Sequence, residues 1–398
     1  MRDSDARILI AGGGIGGLAA AVALADAGHH VSIFEQADQF REVGAGVQLG
    51  PNGVRALAAI GLEGQTDRWA WRPDALTLRD GLDGSLVTQI PLGDAFVQRF
   101  GARYGVIHRA DLLQMLIEAC QARTDRIHMD TRSRVVDFEV GSGGVEIMLT
   151  DGRRERGKAL IGADGLRSVV RQRVVADGAP RPPRHVVYRG VVRRDQVPGD
   201  LWSSQVIMWS GPRADFVHYP LRSGELFNLV ATFQSPVDLH ADDIAGRRED
   251  LDQAFAGFLP QVQRLLALLV TDRRWLVTDR APVKGWSSGP VTLLGDAAHP
   301  MLQYMAQGAC QALEDVVNLR DAVVRHAGDL PAAFEAYAQS RYLRTARVQY
   351  SARQMIEMCQ ADGVMAELRA QYFAQRTSQA AYDSLAWLYS PHAHEHFA

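Results

Sequence analysis

Glycines near the N-terminus are spaced to bind a dinucleotide. Gly12, Gly14 and Gly17 form the pattern G-x-G-x-x-G directly after an apolar run, and Gly16 belongs to the same cluster. In such a loop the first glycine permits a tight turn and the second lets a pyrophosphate approach the backbone. The third lets the following helix pack on the strand. Free N–H groups at the start of that helix then face the phosphates, so the spacing predicts a dinucleotide site.

An acidic residue completes this pattern. Glu35 ends the second apolar run, where its carboxylate can accept hydrogen bonds from ribose hydroxyls. Two other glycine-rich stretches, 44–46 and 141–144, do not continue as fingerprints, and the second is typical of a hairpin turn. A single fingerprint leaves both NAD and FAD open as the bound dinucleotide.

Two acidic turns follow the fingerprint along the chain. Asp164 lies in I-G-A-D-G-L-R-S, and Asp296 lies in V-T-L-L-G-D-A-A-H-P. Each pattern runs a buried strand into a glycine-flanked aspartate and the start of a helix. Either turn alone would indicate an aspartate that caps a helix. The presence of both downstream of the fingerprint favours a common ligand.

The elements that must position these residues begin as a βαβ unit. Residues 7–11 and 30–35 are short apolar runs typical of buried parallel strands, and the helix between them is expected to end near Gly28. Residues 185–235 carry short β-like runs separated by turn residues, which predicts an antiparallel sheet. The chain becomes mostly helical from about Gln307. We therefore predict an α/β fold: a discontinuous Rossmann-like domain with an inserted antiparallel β-sheet domain and a helical C-terminal part.

Composition argues against several classes of partner. The 398 residues carry a formal net charge of -3, which gives no polycationic surface for nucleic acid. Three widely separated cysteines argue against a disulfide framework and for a reducing compartment. The nearly uncharged stretch 8–27 contains a glycine cluster, so we expect a cytoplasmic protein without an integral membrane segment. We expect no metal site, and a solvated tail at His392, His394 and His396.

With its three motifs in this order, the chain from about residue 7 to residue 350 resembles the single-component FAD-dependent aromatic hydroxylases of the p-hydroxybenzoate hydroxylase class. The resemblance implies FAD as cofactor, with NADH or NADPH and O2 as co-substrates, because side chains alone cannot activate dioxygen. It implies an FAD-binding domain, predicted at 1–180 and 272–340. A β-rich substrate domain is predicted at 181–271 and a helical segment at 341–398.

The resemblance also implies roles for individual residues. The glycine loop and Glu35 would hold the ADP half of FAD, Asp164 would contact FAD and NAD(P)H, and Asp296 would contact the ribityl chain. Arg109 matches a flavin-contacting arginine. Gly308 and Ala309 precede an apolar helical pattern, and the N–H groups of that helix start are expected to stabilise negative charge on the reduced flavin ring.

Within this class the chain resembles the 3-hydroxybenzoate 6-hydroxylases, which carry glutamine at the position of Gln303, where most of the class has proline. Tyr219 matches an active-site tyrosine of those enzymes. Strand alternation places Asp215 and Tyr219 on one face and His218 on the other. Asp215 stands where these relatives carry a catalytic histidine. Either Asp215 takes over as the base, or the proton relay and the substrate differ.

These matches predict hydroxylation of a phenolic aromatic acid, with 3-hydroxybenzoate converted to 2,5-dihydroxybenzoate (gentisate). Tyr219, Gln303 and Asp215 are the expected catalytic residues. Hydroxylation of salicylate or a hydroxynicotinate is one alternative, and FAD-dependent reduction of an isoprenoid or polyketide is another. Arg189 and Arg222 are possible partners for the substrate carboxylate, but such arginines are more often solvated or structural charges, so we leave both out of the predicted site. A homodimer is also possible, because large apolar residues near the C-terminus could cover a dimer contact or pack on the core: Tyr382, Trp387, Leu388 and Tyr389.

Overall fold

The structure is a computed structural model that describes residues 6–40, 45–182, 184–237, 239–240 and 244–391. The histidines of the tail (His392, His394, His396) and Gly44 lie outside the described residues. The strands are β1 (Ile8–Ala11), β2 (Val31–Phe34), β3 (Gly46–Leu49), β4 (Ala75–Asp80), β5 (Leu86–Pro91), β6 (Gly105–His108), β7 (Ile127–Asp130), β8 (Val135–Gly141), β9 (Gly144–Leu149), β10 (Arg154–Gly157), β11 (Ala159–Gly162), β12 (His185–Arg193), β13 (Val206–Gly211), β14 (Ala214–Leu221), β15 (Leu226–Gln234), β16 (Trp275–Val277), β17 (Ser287–Ser288) and β18 (Val291–Leu293). The helices are α1 (Ile15–Asp26), α2 (Pro51–Ala59), α3 (Glu63–Trp69), α4 (Asp94–Phe100), α5 (Arg109–Gln121), α6 (Val169–Val174), α7 (Arg248–Ala254), α8 (Pro260–Leu266), α9 (Gly308–Arg325), α10 (Leu330–Cys359), α11 (Val364–Ala374) and α12 (Ser378–Tyr389).

A six-stranded sheet forms the first layer, in the order β17-β18-β11-β1-β2-β7. All neighbours run parallel except β17, which pairs antiparallel at one edge. The residues of β1 and β2 are all buried, as expected of parallel strands covered on both faces. α1 packs against α5 and α9. The alternating α/β pattern predicted from the N-terminal sequence is confirmed, and β8 and β9 form the expected hairpin.

A seven-stranded sheet forms the second layer, in the order β16-β12-β15-β14-β13-β4-β5. Its neighbours are antiparallel except β13 and β4. The four β-like runs predicted between residues 185 and 235 are β12 to β15. However, β4 and β5 come from residues 75–91, ahead of the segment 181–271. This extension arises from long-range pairing, to which local sequence patterns give no guide. The division into domains therefore stays a prediction.

The two faces of the seven-stranded sheet pack on different partners. One face, which includes Phe216 and Phe227, forms a core with Leu251 of α7 and Val262 of α8. The opposite face, which includes Tyr219, packs in one buried cluster with residues of α10 and α12.

The aromatic residues near the C-terminus pack on the core. Tyr382 and Tyr389 of α12 are buried against Phe96 and Phe100 of α4, and the ring centroids of Phe96 and Tyr382 are 5.6 Å apart. Four consecutive helices, α9 to α12, occupy the end of the chain, which confirms the predicted helical C-terminal part. Within the described ranges, no helix combines the length and the apolar character needed to cross a membrane.

Candidate active site

A cleft of about 650 Å³ opens where the parallel strands of the first sheet end. The carboxyl ends of parallel strands are the usual ligand site in open α/β sheets, because helix N-termini converge there. Nine of the ten residues predicted to hold the cofactor line this cleft: Gly12, Gly14, Gly16, Glu35, Arg109, Asp164, Asp296, Gly308 and Ala309. The structure therefore brings residues from four distant segments of the chain to one cavity.

The glycine loop is tightly packed at two positions and open at a third. A Cβ atom on Gly12, whose φ is +104°, would lie 2.4 Å from the carbonyl oxygen of Ala163. A Cβ on Gly17 would lie 2.0 Å from the carbonyl oxygen of Gly12, so Gly17 packs α1 against the loop and does not line the cleft. A Cβ on Gly14 would have no neighbour within 4 Å. The backbone at Gly14 is thus left open toward the cleft.

Two carboxylates at the cleft are fixed by backbone N–H groups. Glu35 follows β2 and accepts hydrogen bonds from Gly13 N at 2.7 Å and from Ala37 N at 2.9 Å. Asp164 accepts from Val169 N at 2.7 Å through Oδ2, while its Oδ1 is buried with no partner among the described residues. A buried acceptor without a partner requires a hydrogen-bond donor from a ligand or from water. This acceptor, together with the open backbone at Gly14, fits a ligand that carries a pyrophosphate and hydroxyl groups.

Asp296 lies deep in the cleft near Arg109. Its carboxylate opens onto the cavity, but protein surrounds that cavity, and the resulting burial raises the pKa of Asp296. The positive charge of Arg109 partly opposes this rise. Burial in turn lowers the pKa of Arg109, and the charge of Asp296 opposes that shift. The two groups therefore stabilise each other's charge at the inner end of the cleft.

The Gly295–Asp296 turn is held in place by Asp315 of α9, a residue that the sequence analysis did not single out. Asp315 accepts hydrogen bonds from Gly295 N at 3.0 Å and from Arg341 Nε at 2.7 Å, and it pairs with His299 Nε2 at 2.6 Å. Burial alone would raise the pKa of Asp315, but His299 and Arg341 outweigh burial and hold that pKa below its usual value. The sequence signal for this role of Asp315 is an acidic residue on the apolar side of a predicted helix.

Gln303 joins the cleft to the seven-stranded sheet. It lies in the short turn between Asp296 and α9, and its Oε1 accepts a hydrogen bond from Arg189 Nη2 at 2.6 Å. Its Nε2 donates to Thr232 Oγ1 on β15 at 2.8 Å. The amide of Gln303 is therefore oriented by two residues of the sheet.

Tyr219 lies on the same sheet face, close to the backbone of Gly46. A Cβ on Gly46 would lie 2.6 Å from the Tyr219 hydroxyl, and Gly46 N donates to Asn228 Oδ1 at 2.7 Å. Asn228 pairs with Tyr219 across the strands. Burial raises the pKa of Tyr219 well above its usual value, although the charge of Arg189 opposes the shift. The phenol of Tyr219 is therefore protonated at neutral pH and can donate a hydrogen bond.

Asp215 shares this face but contacts the end of α10. Its Oδ1 accepts from Gln360 Nε2 at 2.7 Å, and the same amide nitrogen lies 3.1 Å from the Tyr304 hydroxyl. Asp215 and Tyr219 are four residues apart along β14, which separates their Cα atoms by about 13 Å. Asp215 pairs across the strands with Thr232, the residue that accepts from Gln303. Asp215 therefore lies next to Thr232, on the side of the Gln303–Thr232 hydrogen bond that is remote from Tyr219.

The three remaining polar candidates, His218, Arg222 and Arg189, lie in different surroundings. His218 lies on the other face of β14, where its Nε2 accepts from Trp209 Nε1 at 2.9 Å. Arg222 forms two hydrogen bonds with Asp111, at 2.8 and 2.7 Å, as expected of a structural charge. The side chain of Arg189 instead points toward Gln303, to which it donates a hydrogen bond. The predicted site omits Arg189, because an arginine on a β-strand is more often a solvated or structural charge.

The buried carboxyl of Asp215 predicts a pH-dependent stability. Burial raises the pKa of Asp215 to about 7, so the folded chain holds this proton more tightly than the unfolded chain does. Its stabilising contribution is complete below pH 4 and is lost as pH rises toward 7. Asp215→Asn, which can still accept from Gln360, should gain stability relative to the parent by about 3 kcal/mol between pH 5 and pH 8.

Chemical denaturation of the parent and Asp215→Asn at pH 5 and pH 8 measures this difference. The matched control is Asp362→Asn at an exposed position, which should show no comparable pH-dependent change. A stability difference between Asp215→Asn and the parent that stays constant with pH would contradict the burial of this carboxyl.

Comparison with known proteins agrees with the geometry of the cleft. The chain matches the FAD binding domain family over residues 5–352. It is 45% identical to the 3-hydroxybenzoate 6-hydroxylase of Polaromonas naphthalenivorans (strain CJ2), over 97% of this chain and 96% of that protein. It is 40% identical to the 3-hydroxybenzoate 6-hydroxylase of Klebsiella oxytoca, over 96% of each.

A solved structure shows the same architecture. Klebsiella pneumoniae HpxO, complexed with FAD and uric acid, superposes with a TM-score of 0.83 at 28% sequence identity, covering 97% of each chain. The resemblance to FAD-dependent aromatic hydroxylases predicted from the sequence is confirmed by these comparisons. The chain therefore belongs to the FAD binding domain family.

Proposed function

We propose that this protein is an FAD-dependent monooxygenase that uses NAD(P)H and O2 to hydroxylate a phenolic aromatic acid. Its substrate is 3-hydroxybenzoate and its product 2,5-dihydroxybenzoate. The observation that carries the proposal is the position of Gln303, in the turn that leads from the cleft at Asp296 to the polar sheet face at Arg189 and Thr232. Support for the substrate comes from two near full-length relatives, which bear the name 3-hydroxybenzoate 6-hydroxylase.

In this proposal the cleft holds FAD through its own backbone and carboxylates. Gly12, Gly14 and Gly16 present the loop to the pyrophosphate, and Glu35 and Asp164 accept hydrogen bonds from the cofactor's hydroxyl groups. Bound FAD supplies electron transfer from NAD(P)H and activation of dioxygen, which no side chain can supply.

Two further parts of the cleft serve the flavin end of the cofactor. Asp296 and Arg109 bind the cofactor at the inner end of the cavity. The N-terminus of α9, at Gly308 and Ala309, directs free N–H groups into the cleft, where they favour negative charge on the ring.

The sheet face at Gln303 binds and activates the phenol. Tyr219, protonated at neutral pH, donates a hydrogen bond to the substrate, and Gln303 fixes its orientation relative to the cleft. Asp215 acts as a proton acceptor at the rear of this pocket, behind Thr232. The burial of Tyr219 and Asp215 limits the access of water to this face of the sheet. The predicted cytoplasmic location and homodimer stay predictions.

A substrate panel tests this function. Purified protein loaded with FAD is incubated in air with NADH or NADPH and one of four acids: 3-hydroxybenzoate, 4-hydroxybenzoate, salicylate or 6-hydroxynicotinate. We expect kcat/KM to be at least roughly tenfold higher for 3-hydroxybenzoate than for the others, since a misplaced polar group in a built site costs 1.4 kcal/mol or more. A preference for salicylate or 6-hydroxynicotinate would reassign the substrate, and reduction without oxygenation would overturn the reaction class.

A further inference from the structure

Arg189 is a cation that contacts Gln303 on the proposed substrate face and has no carboxylate partner among the described residues. It lies on β12 and pairs with Val230 of β15, which pairs in turn with Val217 of β14, so its side chain shares the sheet face of Tyr219. Its one hydrogen bond within the described structure goes to Gln303 Oε1. No carboxylate of the described residues lies within 4.0 Å of its guanidinium group. The described residues therefore accept from one of the five N–H donors of this group.

The charges around Arg189 make this arrangement costly without a ligand. Burial lowers the pKa of Arg189, and the positive charge of Arg109 lowers it further. Arg109 has Asp296 nearby as a compensating charge, and Arg222 has Asp111. Among the described residues, the Gln303 amide oxygen accepts a hydrogen bond from Arg189, and Tyr219, which is protonated at neutral pH, supplies no negative charge. A partly buried cation of this kind is stabilised by an anion that enters the pocket.

We propose that Arg189 binds the carboxylate of the aromatic acid and so selects carboxylated phenols. This inference rests on the proposed function. A guanidinium group matches a carboxylate through two parallel hydrogen bonds, which fixes the plane of the attached ring as well as its position. Because Arg189 also donates to Gln303, the bound carboxylate and the Gln303 amide are aligned by the same side chain. The hydroxyl of the substrate, which is meta to its carboxylate, is then directed toward Tyr219.

The strongest rival is that Arg189 serves the cofactor by stabilising negative charge on the reduced flavin. The two roles make different predictions. A carboxylate partner affects binding of 3-hydroxybenzoate and leaves binding of its uncharged amide almost unchanged. A cofactor partner shifts the reduction potential of the bound FAD and affects both ligands alike.

Equilibrium titration of the holoenzyme separates these roles without turnover. The dissociation constants of 3-hydroxybenzoate and 3-hydroxybenzamide are measured from the change in flavin absorbance. In Arg189→Gln we expect the dissociation constant of the acid to rise by roughly 30-fold or more, as for loss of one partner of a buried charge pair. That of the amide should change less than about threefold. Arg189→Lys should recover part of the affinity, since it keeps the charge without the planar fork.

Arg193→Gln is the matched control, because Arg193 lies four residues along the same strand and is 72% exposed at its side chain. It should bind both ligands as the parent does. Equal loss of acid and amide in Arg189→Gln, or no loss of either, would overturn the inference, as would a shifted flavin potential with unchanged selectivity. A parent protein that binds and hydroxylates no hydroxybenzoate would instead reject the proposed function, and this inference with it.

Discussion

Gly14→Ala is expected to leave the protein folded and to weaken FAD binding by roughly 100-fold or more, which corresponds to about 3 kcal/mol. Gly14 has φ −76° and ψ −175°, a conformation that alanine adopts without strain, and an added Cβ would meet no protein atom within 4 Å. The methyl group would instead project toward the space that the pyrophosphate requires. Apoprotein melting temperature and FAD affinity by fluorescence titration measure the two effects separately.

Gly17→Ala, in contrast to Gly14→Ala, should destabilise the fold itself. Its Cβ would lie 2.0 Å from the carbonyl oxygen of Gly12, so α1 or the loop must shift, and overpacking of this kind typically costs about 1–3 kcal/mol. We therefore expect a lower melting temperature even without FAD. Gly64→Ala is the matched control, because Gly64 is exposed on α3 with no neighbour near its Cβ position. Wild-type FAD affinity in Gly14→Ala would contradict the assignment of the cofactor to this loop.

Tyr219→Phe should lower the rate of hydroxylation by roughly 100-fold, the scale of a lost hydrogen-bond or proton-transfer contribution. The ring of Tyr219 packs in a buried cluster with Val217 and Leu221, and phenylalanine preserves that packing. NADH oxidation should continue, with hydrogen peroxide replacing hydroxylated product. Gln303→Ala should have a similar effect, since it removes the link between Arg189 and Thr232.

The measurement is the ratio of hydroxylated product to NADH consumed. Tyr382→Phe provides the control, because Tyr382 belongs to the same buried cluster but donates its hydroxyl hydrogen bond to Pro91 O. This variant should remain fully coupled. Unchanged coupling and rate in both Tyr219→Phe and Gln303→Ala would remove these residues from the site.

Local sequence patterns were sufficient to predict the cofactor side of the molecule. The run of buried residues in β1, the glycine turn and the apolar helix α1 follow one another within about 30 residues, the usual size of such a unit. Their geometry depends on neighbours in the chain, and it could be predicted from them. Alternation along β14 was equally reliable, because it places Tyr219 and His218 on opposite faces whatever the strand packs against.

The substrate side depends on contacts between distant segments, which one sequence does not display. Asp215 is 145 residues from Gln360, whose amide orients it, and Arg189 is 114 residues from Gln303. No local pattern shows that Asp215 turns toward the end of α10 or that Arg189 has no carboxylate partner among the described residues. The pairing of β4 with β13 likewise joins distant segments of the chain. The sequence alone therefore could not indicate how Asp215 and Arg189 are placed relative to Gln303.

The proposed reaction inserts one atom of dioxygen into 3-hydroxybenzoate. Incubation of the FAD-loaded protein with NADH and 3-hydroxybenzoate under ¹⁸O2, followed by mass spectrometry of the product, tests this reaction. We expect 2,5-dihydroxybenzoate that carries a single ¹⁸O atom, formed in proportion to NADH consumed. A product without ¹⁸O, a substrate that has gained two hydrogens, or hydrogen peroxide as the sole product would contradict it.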